Sequence, residues 1–99
     1  MESLQDFEQH MRAVERKSEH TIRAYLADLR QLRAFLDERG VELDKASRDD
    51  LRAFLAARFG SDAPSTLGRK QASLVAFYEH RLRRGAVAES PARMLVSPK

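Results

Sequence analysis

Apolar residues recur along this chain with the spacing of helices. Leu4, Phe7, Met11 and Val14 predict a first helix near 3–16, opened by Ser3-x-x-Asp6 as a capping box. Ile22, Tyr25, Leu26, Leu29, Leu32 and Leu36 predict a long helix over 19–39, with Ser18 as N-cap and Gly40 just past its end. Val41 to Ala46 reads as a loop whose Val41 and Leu43 tuck under the fold. Ser47-x-x-Asp50 is a second capping box, opening a short helix over 48–59 on Leu51, Phe54, Leu55 and Phe59. After the turn at Ser61 to Pro64, a fourth helix runs over 65–84 and stops at Gly85. Ser90-Pro91 starts a short fifth turn to Leu95. No stretch alternates with period two. The pattern predicts an all-α fold, four helices and a short fifth around one core. That core is expected to hold Phe7, Met11, Ile22, Tyr25, Leu29, Leu32, Phe54, Leu55, Leu74, Tyr78 and Leu82.

The fourth helix has two unlike arcs. Leu67, Leu74, Val75, Tyr78 and Leu82 lie on one. Thr66, Arg69, Lys70, Ser73, His80, Arg83 and Arg84 lie on the other, and Glu79, the only acid, sits on neither. A solvated helix ordinarily mixes charges of both signs. A face with donors and no carboxylate suits a polyanion. Arg81, Arg83 and Arg84 sit at the C-terminal end, where the helix dipole favours cations in any case. Arg69 and Lys70 are near the N-terminus, where it does not.

With 99 residues and 42% hydrophobic content, the chain is expected to be one domain. Its net charge of +3 is unevenly spread. Residues 1–50 carry nine Lys/Arg against twelve Asp/Glu, and residues 51–99 carry nine against three. This segregation points to an anionic partner. There is no cysteine, hence no disulfide or thiolate chemistry, which is compatible with a cytoplasmic location. No apolar run approaches the length of a membrane span.

Enzyme signatures are missing. His10, His20 and His80 are far apart in sequence, with none at metal-ligand spacing, so no metal and no cofactor are expected. Phosphate-cradling glycine loops and the GxSxG nucleophile turn are absent. Tyr25 and Tyr78 lie on apolar stripes and read as core aromatics. Asp49-Asp50 is explained by the helix dipole.

The second and fourth helices open alike. One has Ser18-Glu19-His20-Thr21, then Ile22, Tyr25 and Asp28-Leu29. The other has Ser65-Thr66, Arg69-Lys70 and Phe77-Tyr78, followed by Gly85, Ser90-Pro91-Ala92 and Pro98-Lys99. In order and spacing, across essentially the whole chain, this succession resembles the N-terminal core-binding domain of tyrosine recombinases, the phage integrase and Xer-type enzymes, with the Xer-like branch favoured by the short, undecorated domain. The resemblance implies a SAM-like four-helix bundle forming one half of a clamp around duplex DNA. It implies DNA contacts at Lys17, Ser18, His20, Thr21 and Arg23, and at Ser65, Thr66, Arg69, Lys70 and Ser73. To these the polar arc adds His80, Arg83 and Arg84. Two polar positions of the family pattern fall on Ala72 and Val75 here. The resemblance places the catalytic Arg, Lys, His-x-x-Arg and Tyr in a separate C-terminal domain, with residues 1–95 the binding domain and 96–99 the start of a linker. The chain itself is then no enzyme, its parent recombines DNA without a cofactor, and its partners are duplex DNA and other recombinase subunits assembled on it. The isolated domain is expected to be a monomer.

Two other readings stay open from the residues. A helical protein-interaction module would pair its −3 half with its +6 half. A regulatory or RNA-binding helical domain is disfavoured by the lack of an aromatic stacking platform.

Overall fold

A computed structural model describes residues 2–93 and Leu95. The described elements are helical: α1 (Ser3–Gln9), a π-helical segment (His10–Val14), α2 (Glu19–Glu38), a 3₁₀ turn (Leu43–Lys45), α3 (Arg48–Arg58) and α4 (Pro64–Arg83). The linker expected at 96–99 lies outside the described residues.

Local chemistry sets the boundaries. At α2 the Ser18 hydroxyl accepts the Thr21 N–H, and at α3 the Ser47/Asp50 capping box closes in both directions. At α1 the cap is Glu2, whose carboxylate accepts the N–H groups of Leu4 and Gln5. Ser3 instead donates its hydroxyl to Asp44. The Ser3 capping box is therefore corrected: a longer carboxylate one position earlier satisfies the same orphan donors. Pro64 takes the first position of α4, so the helix begins one residue before Ser65.

Two helices end in Schellman motifs. Gly40 (φ 70°) donates to Asp37 C=O and Val41 donates to Leu36 C=O. Gly85 (φ 76°) donates to Leu82 and Ala86 donates to Arg81. Glycine adopts these left-handed angles without a Cβ clash.

The first helix is not α-helical to residue 16. Glu15 N–H reaches back five residues to His10 C=O, and Lys17 N–H reaches six, to Met11 C=O. Arg16 closes this widened turn at φ 53°, an angle unusual for a side chain other than glycine. The fifth element is a tight turn, with Arg93 N–H donating to Ser90 C=O and Leu95 N–H to Ala92 C=O. The Ser90 hydroxyl accepts the Ala92 N–H.

The core lies where the four helices meet. Phe7, Met11, Ile22, Leu29, Leu32, Phe54, Leu55, Leu74 and Tyr78 are buried as the periodicity predicts, joined by Leu4, Leu26, Leu36, Leu43, Leu51 and Phe77. Tyr25 and Leu82 are only half-buried. Phe77 stands edge-on to Phe7 and Tyr78, with ring centroids 5.5 and 4.9 Å away. The Tyr78 hydroxyl donates to Leu43 C=O at 2.7 Å, pinning the 3₁₀ turn beneath α4. Burial raises the Tyr78 pKa further above its ordinary value, so the phenol stays a donor.

Candidate nucleic-acid interface

Three of the seven residues on the polar arc of α4 are interior. Lys70 is 3% exposed, Ser73 is fully buried and His80 is 2% exposed. All three are buried in the free chain, which corrects the expectation that Lys70, Ser73 and His80 share a solvent-facing arc. The helix is rotated so that Lys70, Phe77 and Arg81 face inward and Val75 faces out.

Each buried polar group has a structural reason. Ser73 donates its hydroxyl to Lys70 C=O. Lys70 Nζ lies 3.2 Å from both Asp28 and Asp62. Asp28, itself only 1% exposed, also receives two hydrogen bonds from Arg69, Nε at 2.9 Å and Nη2 at 2.8 Å. Asp62 receives the same fork from Arg58. A run of alternating charges, Arg58–Asp62–Lys70–Asp28–Arg69, thus ties α2 to α4 and to the α3–α4 connection. Arg69 and Lys70 stand near an unfavourable helix end because Asp28 needs them there. The forks hold the Asp62 carboxyl below its ordinary range, Arg58 contributing most.

A second cluster fastens α1 to α4. Arg81 bridges Asp6 and Asp44, and Arg84 forks onto Asp6. Burial pushes the Asp6 carboxyl up, but Arg84, His80 and Arg81 outweigh it and hold the group below its ordinary value. Arg84 is thereby engaged, whereas Arg83 is exposed without a carboxylate partner among the described residues. The pair lies about 20 Å along α4 from Arg69.

His80 is wedged between Phe7 and His10, with ring centroids 5.4 and 4.9 Å away. Its Nδ1 has no hydrogen-bond partner. The His10–His80 proximity was hidden by a separation of seventy residues. No group of three His, Cys, Asp or Glu among the described residues is arranged for a metal. Burial holds the His80 pKa below its ordinary 6.5, against an opposing pull from Asp6 and with smaller pushes from His10, Arg81 and Arg84. The fold therefore favours neutral His80. That stability is fully present above the ordinary value and is lost as pH falls through the depressed one. Melts taken from about pH 8 to about pH 5 should show a falling Tm, and His80→Gln should flatten that dependence. An equally steep profile in the variant would assign the effect elsewhere. Asp6 acts in a separate window, below its ordinary 3.8.

What remains open at the surface is the outer side of α2. His20, Arg23, Ala27, Arg30, Gln31 and Ala34 are exposed along one stripe about 21 Å long. Arg16, Arg23 and Arg30 have no hydrogen-bonded or ion-paired carboxylate among the described residues. Lys17 lies over the Tyr25 ring at 5.8 Å. Glu19, the acid at the start of this stripe, is taken by Arg12 through a two-bond fork that lowers its pKa. Arg23 feels it only through space. Ser18 and His20 are exposed at this N-terminus and Thr21 is half-buried. Ser65 is exposed and Thr66 half-buried at the start of α4, about one turn from Arg69. The Asp28–Arg69 contact sets the first turns of α4 against the middle of α2. Arg16 and Arg30, not among the expected contacts, are exposed beside the expected residues of α2. Arg30 was legible, since it shares the helical stripe of His20 and Arg23.

Residues 4–95 match the family described as phage integrase, N-terminal SAM-like domain. The chain is 42% identical over 97 residues to the tyrosine recombinase XerC of Mycobacterium tuberculosis (strain ATCC 25177 / H37Ra), covering 97% of this chain and 33% of that protein. It is 42% identical over 103 residues to XerC of Mycobacterium sp. (strain JLS), covering 100% and 34%. The chain spans about a third of the length of these relatives. No solved structure matches it significantly. No helix among the described residues is long and apolar enough to cross a membrane.

Proposed function

Because the chain belongs to the phage integrase N-terminal SAM-like domain family, we propose that it grips duplex DNA through the outer face of α2, as one half of a recombinase clamp. The observation that carries this reading is the set of exposed arginines Arg16, Arg23 and Arg30, with half-buried Lys17 beside them, none hydrogen-bonded or ion-paired to an acid among the described residues. Arg16 and Lys17 stand just before the positive end of the α2 dipole, which disfavours cations there, and a phosphate backbone offsets that cost. Ser18, Thr21, Ser65 and Thr66 add short donors beside two helix N-termini, a geometry suited to phosphate oxygens. His20 and Gln31 lie on the same stripe and face the same groove.

Residues beyond 95 lead into the domain that cuts and rejoins the strands, and further recombinase subunits assemble on the same duplex in the cytoplasm. Fluorescence anisotropy against a salt series tests the binding. The wild-type chain should bind duplex DNA non-specifically with Kd of about 10⁻⁴ to 10⁻⁶ M. Lys17→Ala, Arg23→Ala and Arg30→Ala together should flatten the plot of log K against log [salt] by roughly 2.7. Lys45→Ala with Arg48→Ala, two exposed cations away from the stripe, should leave it unchanged. An intact fold with an unchanged slope in the triple variant would remove α2 from the interface.

A further inference from the structure

Three cations, Arg58, Lys70 and Arg69, share two carboxylates, Asp62 and Asp28. The Asp6/Asp44 cluster, by contrast, balances two carboxylates with Arg81 and Arg84. The first cluster thus holds one positive charge in excess. That charge is not distributed evenly in space. Lys70 is sealed inside, at 4% side-chain exposure, while Arg69 is 42% exposed. Arg69 uses its Nε and Nη2 on Asp28, and its Nη1 has no partner among the described residues.

We infer that Lys70 is a buried reserve counter-ion that frees Arg69 to serve a DNA phosphate. Asp28 cannot be left unpaired in the interior. With Lys70 at 3.2 Å from Asp28 Oδ1, the carboxylate stays compensated when Arg69 turns outward. Water reaching the opened Oδ2 completes its hydrogen bonding. Asp62 keeps its fork from Arg58 throughout, so no second charge is orphaned. Lys70 never meets the DNA. It is a positioning residue, acting through the charge it donates to Asp28, and its effect on binding passes entirely through Arg69.

The inference rests on the DNA-binding reading above, and its test separates the two. Arg69→Ala should flatten the salt slope by about 0.9 relative to wild type. Lys70→Met should flatten it by the same amount, although Lys70 is buried, because Arg69 then becomes the sole counter-ion of Asp28. The double variant should show no further loss. Lys70→Met leaves each carboxylate with its arginine fork and is expected to fold, as a thermal melt will check. Lys70→Gln gives the same measurement with a polar side chain should methionine not be accepted. On the wild-type chain, the Arg69 Nε–H resonance should move when a short duplex is added, since that proton is now donated to Asp28.

A Lys70→Met or Lys70→Gln slope equal to wild type overturns the inference, as does an Arg69 Nε–H resonance that saturating duplex leaves unmoved. Absence of salt-dependent duplex binding by the wild-type chain overturns the proposed function, and this inference with it.

Discussion

Asp28→Ala is expected to lower the unfolding free energy by about 3–5 kcal/mol, a large part of the ~5–15 kcal/mol available to a small domain. The loss comes less from the missing attraction than from what it leaves behind. Lys70, buried on α4, would keep only Asp62, which is already forked by Arg58. Arg69 is half-exposed, so water takes the place of Asp28 there and it contributes little to the loss. For a chain of this length the corresponding fall in Tm is roughly 12 °C or more. Calorimetry or a circular-dichroism melt measures it. Asp28→Leu combined with Lys70→Met removes the buried cation together with its carboxylate and should recover much of the stability. A single-variant cost below about 1 kcal/mol would mean that the carboxylate is dispensable to the α2–α4 crossing.

Phe77→Ala should cost about 3–5 kcal/mol, because a fully buried aromatic leaves a cavity between α1 and α4. Its edge contacts with Phe7 and Tyr78 are lost as well. Val75→Ala, two residues earlier on the exposed side, should stay within about 0.5 kcal/mol. Denaturant titration of the two variants therefore reads out the rotation of α4 about its axis. Comparable losses in both would contradict the orientation described here.

That rotation is also where the sequence misleads. Sorting α4 by hydrophobicity places Val75 inside and Lys70, Ser73 and His80 outside. The buried face is instead shared by Leu74, Phe77 and Tyr78 with Lys70, Ser73, His80 and Arg81. Periodicity treats a charged residue as solvated, and the partner that makes Lys70 an interior residue lies 42 positions away on another helix. Helices with ordinary caps were legible: Ser18, Ser47, Gly40 and Gly85 all act where their residue types indicate. The exposure of Ser18, His20 and Arg23 was legible for the same reason, since it follows from the cap and from the apolar stripe on the opposite side of α2. Arg69 could be read as a cation but not as an engaged one. Glu2 displaced Ser3 as a cap because a glutamate at that position carries no strong signal of its own.

The π-helical segment also bears on how chain length varies in this region. A turn closed over five residues holds one residue more than a regular α-helical turn between the same flanks. Losing one of the exposed residues Ala13 or Val14 would restore the ordinary ladder without pulling Phe7 or Ser18 out of place. This stretch can therefore lose a single residue silently. In an alignment, a one-position gap between His10 and Arg16 would mark a change of helix type and leave the register of α2, with its cations, intact.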